Sequence, residues 1–83
     1  MEEKTKELQA LLQTLSEALV EDVDSIEINP TIDGNTIVLE LKVAPEDMGR
    51  VIGKGGRRAE AIRSILKAKA SRIDTRVAVN IID

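Results

Sequence analysis

Residues Val51 to Arg58 read Val-Ile-Gly-Lys-Gly-Gly-Arg-Arg, and the spacing of their glycines and cations suits the holding of an anion. Gly53 and Gly56 bracket Lys54 and Gly55, with an apolar pair in front and an arginine pair behind. Glycine reaches positive φ without strain and has no Cβ to keep a ligand away from the backbone. The apolar spacing after Gly56 makes it the start of a helix, whose first-turn N–H groups lack partners and whose dipole is positive at that end. Lys54 then supplies an exposed point charge for a phosphate, while Gly53, Gly55 and Gly56 permit close backbone approach and Arg57 extends the clamp. Arg58, Arg63 and Lys67 follow on the same helix, where each is either a further contact or an ordinary solvated charge.

Other chemistries fit poorly. Lys54 is followed by Gly55 rather than Ser or Thr, and the upstream Gly49 stands one residue too near, so the segment is not a P-loop. Arg58 occupies the place of the third small residue in a dinucleotide-binding fingerprint, and the loop follows a helix rather than a strand. Histidine and cysteine are absent, which removes the commonest general base, the thiolate nucleophile and the commonest metal ligands. The carboxylates of Glu21 to Asp24 lack the alternating spacing and the glycine of a calcium loop and read as a solvated turn. No catalytic residue, metal, cofactor or small-molecule substrate is expected.

The formal charge of −3 over 83 residues conceals a partition. Residues 1 to 49 hold twelve acids against Lys4, Lys6 and Lys42, whereas Arg50 to Arg76 hold nine basic residues against Glu60 and Asp74. A pI near 5 argues against a general nucleic-acid binder, but a local basic face is what phosphate contact requires. Phe, Tyr and Trp are missing as well, so bases cannot stack on aromatic rings here. The reduced alphabet fits a simplified or engineered sequence as well as a small natural protein with an aliphatic core. No apolar run approaches the roughly 18 residues of a membrane span, and the acidic N-terminus lacks the plan of a signal peptide. A cytoplasmic protein without membrane contact is expected.

The elements that must position the loop follow from periodicity. Leu8, Leu12, Leu15 and Leu19 predict an amphipathic helix from Glu2 to about Val20, with Thr5 as a capping residue. Ser25 to Asn29 alternates and is ended by Pro30, Asp33-Gly34 turns the chain, and Thr36 to Val43 forms a longer strand with Ile37, Leu39, Leu41 and Val43 on one face. Ala44 to Asp47 starts a short helix that places Met48, Val51 and Ile52 on one side. A third helix from Gly56 to Ser71 buries Ala59, Ile62, Ile65, Leu66 and Ala70, with the Lys69 stem snorkelling at its end. Arg76 to Ile82 is the last strand. Two helices between the second and third strands imply a right-handed crossover and parallel pairing.

That order, αββααβ, together with the stretch Leu-Lys-Val-Ala-Pro-Glu-Asp-Met-Gly-Arg-Val-Ile-Gly-Lys-Gly-Gly-Arg-Arg-Ala-Glu-Ala-Ile-Arg from Leu41 to Arg63, resembles the type II KH (K-homology) family, and within it the small stand-alone bacterial proteins of the KhpA type. The resemblance implies an α+β fold made of one KH domain over residues 1–83, with a three-stranded mixed sheet and three helices on one face. It implies a loop that clamps about four nucleotides of single-stranded nucleic acid. Carried onto this chain, the contacts are Gly53, Lys54, Gly55, Gly56, Arg57, Arg58, Arg50 and Arg63, with Ile52 resembling the aliphatic floor of the base groove. Val43 lies beside that floor, and for it core packing is the favoured reading. Gly55 departs from the larger polar residue usual at its position. The implied function is non-enzymatic binding of single-stranded RNA, or of single-stranded DNA, with low sequence specificity, in an RNA chaperone or post-transcriptional regulator. The implied protein partner is a second copy or another KH-containing protein. A scaffold that keeps the shape without RNA affinity is the alternative, with Val38 and Ile82 on the outer sheet face as its interface.

Overall fold

The computed structural model describes residues 1–82. Its elements are α1 (Glu2–Leu19), β1 (Glu27–Asp33), β2 (Thr36–Lys42), α2 (Met48–Ile52), α3 (Arg57–Arg72) and β3 (Arg76–Ile82). Short 3₁₀ turns at Val23–Ser25, Pro45–Asp47 and Lys54–Gly56 join them. The sheet order is β1-β2-β3, antiparallel between β1 and β2 and parallel between β2 and β3. The α2–α3 pair is therefore the crossover that the sequence implies. Among the described residues no helix is long and apolar enough to cross a membrane.

The inner sheet face presents Ile37, Leu39, Leu41, Val77 and Val79 to Leu8 and Leu12 of α1 and to Ile62, Leu66 and Ala70 of α3, all in one buried cluster. Strict alternation along β2 sends every second residue into that cluster, so one face is covered by helices and the other is open. Val43 is also buried, as the core-packing reading requires. Lys69 Nζ reaches Glu7 Oε1 at 3.2 Å, tying α3 to α1 with its charge kept at the surface.

Several elements differ from expectation. Pro30 does not end β1; the strand runs on to Asp33, with Pro30 opposite Leu39. β1 is an edge strand, where a residue without an N–H removes no bond from the interior of the sheet. The hairpin turn is Gly34-Asn35 rather than Asp33-Gly34, since Asp33 pairs with Thr36. Thr5 lies inside α1, its hydroxyl donating to the Met1 carbonyl at 2.8 Å, so it does not cap the helix. The buried line of α1 is Leu8, Leu12 and Ser16, with Leu11, Leu15 and Leu19 half-buried on its flanks. Ile65 is 44% exposed on the outer side of α3 and is not a core residue, and Ile52 is 37% exposed although Val51 beside it is buried. The sheet faces α3 from one side only, which leaves no cover for Ile65.

Candidate nucleic-acid interface

α2 closes its last turn with Gly53 N–H donating to the Gly49 carbonyl at 2.9 Å. Gly53 then leaves the helix at φ 74°, ψ 173°, a region that residues with a Cβ hardly occupy. A Cβ built there would sit 2.6 Å from Arg58 Cβ and 3.0 Å from Arg58 N, so the bases of the loop touch at this glycine. Gly53→Ala should combine backbone strain with a clash that only main-chain movement relieves, and we expect a loss of about 2 to 4 kcal/mol on urea titration. Gly55 and Gly56 follow in left-handed geometry, at φ 64° and 78°, with open space where a Cβ would stand. Their constraint is conformational only.

The loop's own bonds run from Gly56 N–H to the Gly53 carbonyl at 3.2 Å and from Arg57 N–H to the Lys54 carbonyl. Among the described residues, the Lys54 and Gly55 amides have no hydrogen-bond partner, and the Lys54 and Arg57 side chains have no acidic one. Lys54, Gly55 and Arg57 are all exposed. Two such amides and two such cations thus share one short exposed segment. Oriented N–H dipoles and point charges of this kind attract anions, phosphates above all.

The remaining cations named from the sequence are already engaged. Arg50 Nη2 pairs with Glu21 Oε1 at 2.9 Å and its Nη1 with Asp47 Oδ1 at 3.0 Å. Arg63 lies along β3, with Nε donating to the Val79 carbonyl at 3.1 Å and Nη1 paired with Glu60 at 3.2 Å. Arg58 Nη1 donates to the Arg50 carbonyl at 2.7 Å. Ile52 lies exposed at the end of α2, beside the loop. The structure therefore brings Ile52, Gly53, Lys54, Gly55, Gly56 and Arg57 together on one segment, and gives Arg50, Arg58 and Arg63 partners within the protein. A hollow of about 480 Å³ lined by Thr36, Lys67, Ser71, Asp74, Thr75 and Arg76 lies at the other end of α3, where it takes no part in this arrangement.

Asp47, which the sequence marks only as part of the start of a short helix, has a larger role in the structure. It is only 2% exposed, and its carboxylate accepts from the Glu21 N–H at 3.1 Å, the Asp22 N–H at 3.0 Å and Arg50. Those amides of Asp22 and Glu21, and then Arg50, hold its carboxyl below the usual range, against the opposing effect of burial. A carboxyl whose pKa is lowered on folding adds stability above its unfolded pKa of about 3.9 and loses it as pH falls through the folded value. The stability gap between the protein and its Asp47→Asn variant should accordingly be wide at neutral pH and narrow in acid, as urea midpoints at pH 7 and pH 3 would read.

Comparison with known proteins follows the same stretch. A family profile described as the KH domain of KhpA/KhpB matches residues 9–81. The chain is 51% identical over 72 residues to the RNA-binding protein KhpA of Caldanaerobacter subterraneus subsp. tengcongensis, covering 87% of this chain and 96% of that one. It is 48% identical over 75 residues to the protein of that name from Clostridium acetobutylicum, covering 90% of this chain and all of that one. To the Aquifex aeolicus protein it is 36% identical over 76 residues, 92% of this chain and 96% of the other. No solved structure matches the chain significantly.

Proposed function

Since the chain belongs to the KhpA/KhpB family of KH domains, we propose that it is a non-enzymatic module that binds single-stranded RNA with low sequence specificity, holding the backbone with the loop from Gly53 to Gly56. The observation that carries this reading is the convergence, on one exposed segment, of Lys54 and Gly55 amides and Lys54 and Arg57 charges that have no partner among the described residues. Contacts of this kind go to phosphate, which is the same at every nucleotide, and no aromatic ring is present to stack a base. Low specificity follows from both facts. Relatives that carry the name RNA-binding protein KhpA support RNA as the ligand. The same reading makes the chain a cytoplasmic RNA chaperone or post-transcriptional regulator that pairs with a second KH-containing chain.

The scaffold reading has less behind it. Val38 is half-buried and Ile82 is 36% exposed, and two separate aliphatics do not make a patch.

Salt separates the two. Lys54 and Arg57 together neutralise about two phosphates, and the uncharged loop amides add hydrogen bonds without adding to that count. With about 0.7 counterions released per phosphate of a single strand, the slope of log affinity against log salt should be about −1.4. Oligonucleotides of different sequence should share that slope. The acidic half of the chain does not forbid binding, because its charges are screened beyond about 8 Å at physiological ionic strength. Affinity that does not vary with salt, or no binding at low salt, would reject the phosphate clamp and favour the scaffold.

A further inference from the structure

α2 has only five residues, far fewer than the roughly 12 to 15 a helix needs to persist unaided, so it depends on tertiary contacts: Val51 packed in the core, and what holds its two ends. At its start stands Asp47, buried, with both connector amides of Glu21 and Asp22 and the Arg50 guanidinium on its carboxylate. The two amides lie 25 to 26 residues from Asp47 in sequence, and their bonds fix the base of α2 to the segment that leaves α1. At its end the last carbonyls lack helical partners. The Gly53 amide takes the Gly49 carbonyl, and Arg58, which lies beyond the loop in the first turn of α3, takes the Arg50 carbonyl at 2.7 Å. The same Arg58 presses its Cβ against Gly53 so closely that no side chain fits between them.

From this geometry we infer that Arg58 is a positioning residue, not a phosphate ligand: it latches the two stems of the loop together, and Asp47 anchors α2 from its opposite end. The latch holds Gly53 to Gly56 in the conformation that leaves the Lys54 and Gly55 amides without a partner among the described residues. Ordering a flexible backbone costs about 1 to 2 kcal/mol per residue, so a loop already ordered binds more tightly than one ordered by its ligand. The inference rests on the loop being the RNA contact, but its first readout does not involve RNA.

In the free protein, Arg58→Gln should speed hydrogen exchange at the Gly53 and Gly56 amides about three- to tenfold while Leu39 in β2 stays unchanged. Asp47→Asn, remote from any phosphate contact, should speed the same two amides. An eight-nucleotide uridine oligomer should bind the Arg58→Gln variant about three- to tenfold more weakly with an unchanged salt slope, because no phosphate contact has been removed. A slope shallower by about 0.7 would make Arg58 a direct phosphate contact and overturn the latch. Unchanged exchange at Gly53 and Gly56 would overturn it too. If the oligomer binds neither form, the loop reading fails while the exchange rates still decide the latch.

Discussion

The double variant Lys54→Asp, Gly55→Asp should lose at least about a hundredfold in affinity for single-stranded RNA at 0.1 M salt while remaining folded. Removing one phosphate contact costs about fivefold at that salt. Two carboxylates set beside phosphates each add about 1 kcal/mol or more of repulsion even in high dielectric, which together is roughly thirtyfold. The fold should survive because both side chains point away from the core. Lys54 and Gly55 are exposed, and a Cβ on Gly55 meets nothing within 4 Å. Asp tolerates the left-handed conformation of Gly55 at a cost of about 1 kcal/mol. An affinity within threefold of the parent, measured on a variant with an unchanged circular dichroism spectrum, would remove the loop from the binding surface.

Leu12→Ala should cost about 3 to 4 kcal/mol, the largest stability loss we expect from one side chain in α1. Leu12 is fully buried in the cluster shared by α1, α3 and the sheet, and a Leu-to-Ala truncation in such a site loses the transfer energy of the removed atoms and leaves a cavity. Leu15→Ala should cost less, about 1 to 2 kcal/mol, since Leu15 is half-buried on the flank. Urea titration of the two variants checks the order. Equal losses would mean that α1 is rotated from the orientation described, with Leu15 facing the sheet. A domain of this size has about 5 to 8 kcal/mol of stability, so Leu12→Ala brings it close to unfolding at physiological temperature.

The parts of this fold legible in the sequence are those set by a short-range period. Ile37, Leu39 and Leu41 alternate, Ala59, Ile62, Leu66 and Ala70 recur at helical spacing, and the parallel β2–β3 pairing follows from the two helices between them. The glycine loop was legible because its chemistry is contained in eight consecutive residues. What the sequence hid depends on which distant segment lies opposite. Ile65 has the composition of a core residue, but the side of α3 that bears it has no sheet to cover it. Ser16 is buried because it continues the Leu8–Leu12 line towards the sheet, and its hydroxyl has no partner among the described residues. Pro30 reads as a strand breaker until β1 is known to be an edge.

The basic residues carry the sharpest case. Arg50, Arg57, Arg58 and Arg63 look alike in sequence, four cations around one loop. Tertiary structure separates them: Glu21 and Asp47 occupy Arg50, the Val79 carbonyl and Glu60 occupy Arg63, the Arg50 carbonyl occupies Arg58, and Arg57 is the one of the four with no partner among the described residues. Counting charges along the chain overstates the phosphates such a surface can neutralise, because a guanidinium already paired with a carboxylate, as those of Arg50 and Arg63 are, must give up that pair to contact one.

The most direct test of the central claim is a titration of the isotopically labelled protein with a short single-stranded RNA, followed by amide chemical-shift changes at low salt. The largest changes are expected at Gly53, Lys54, Gly55, Gly56 and Arg57, smaller ones at Ile52, and little change along β1. Changes centred on Val38 and Ile82 of the outer sheet face, or none at saturating RNA, would contradict it.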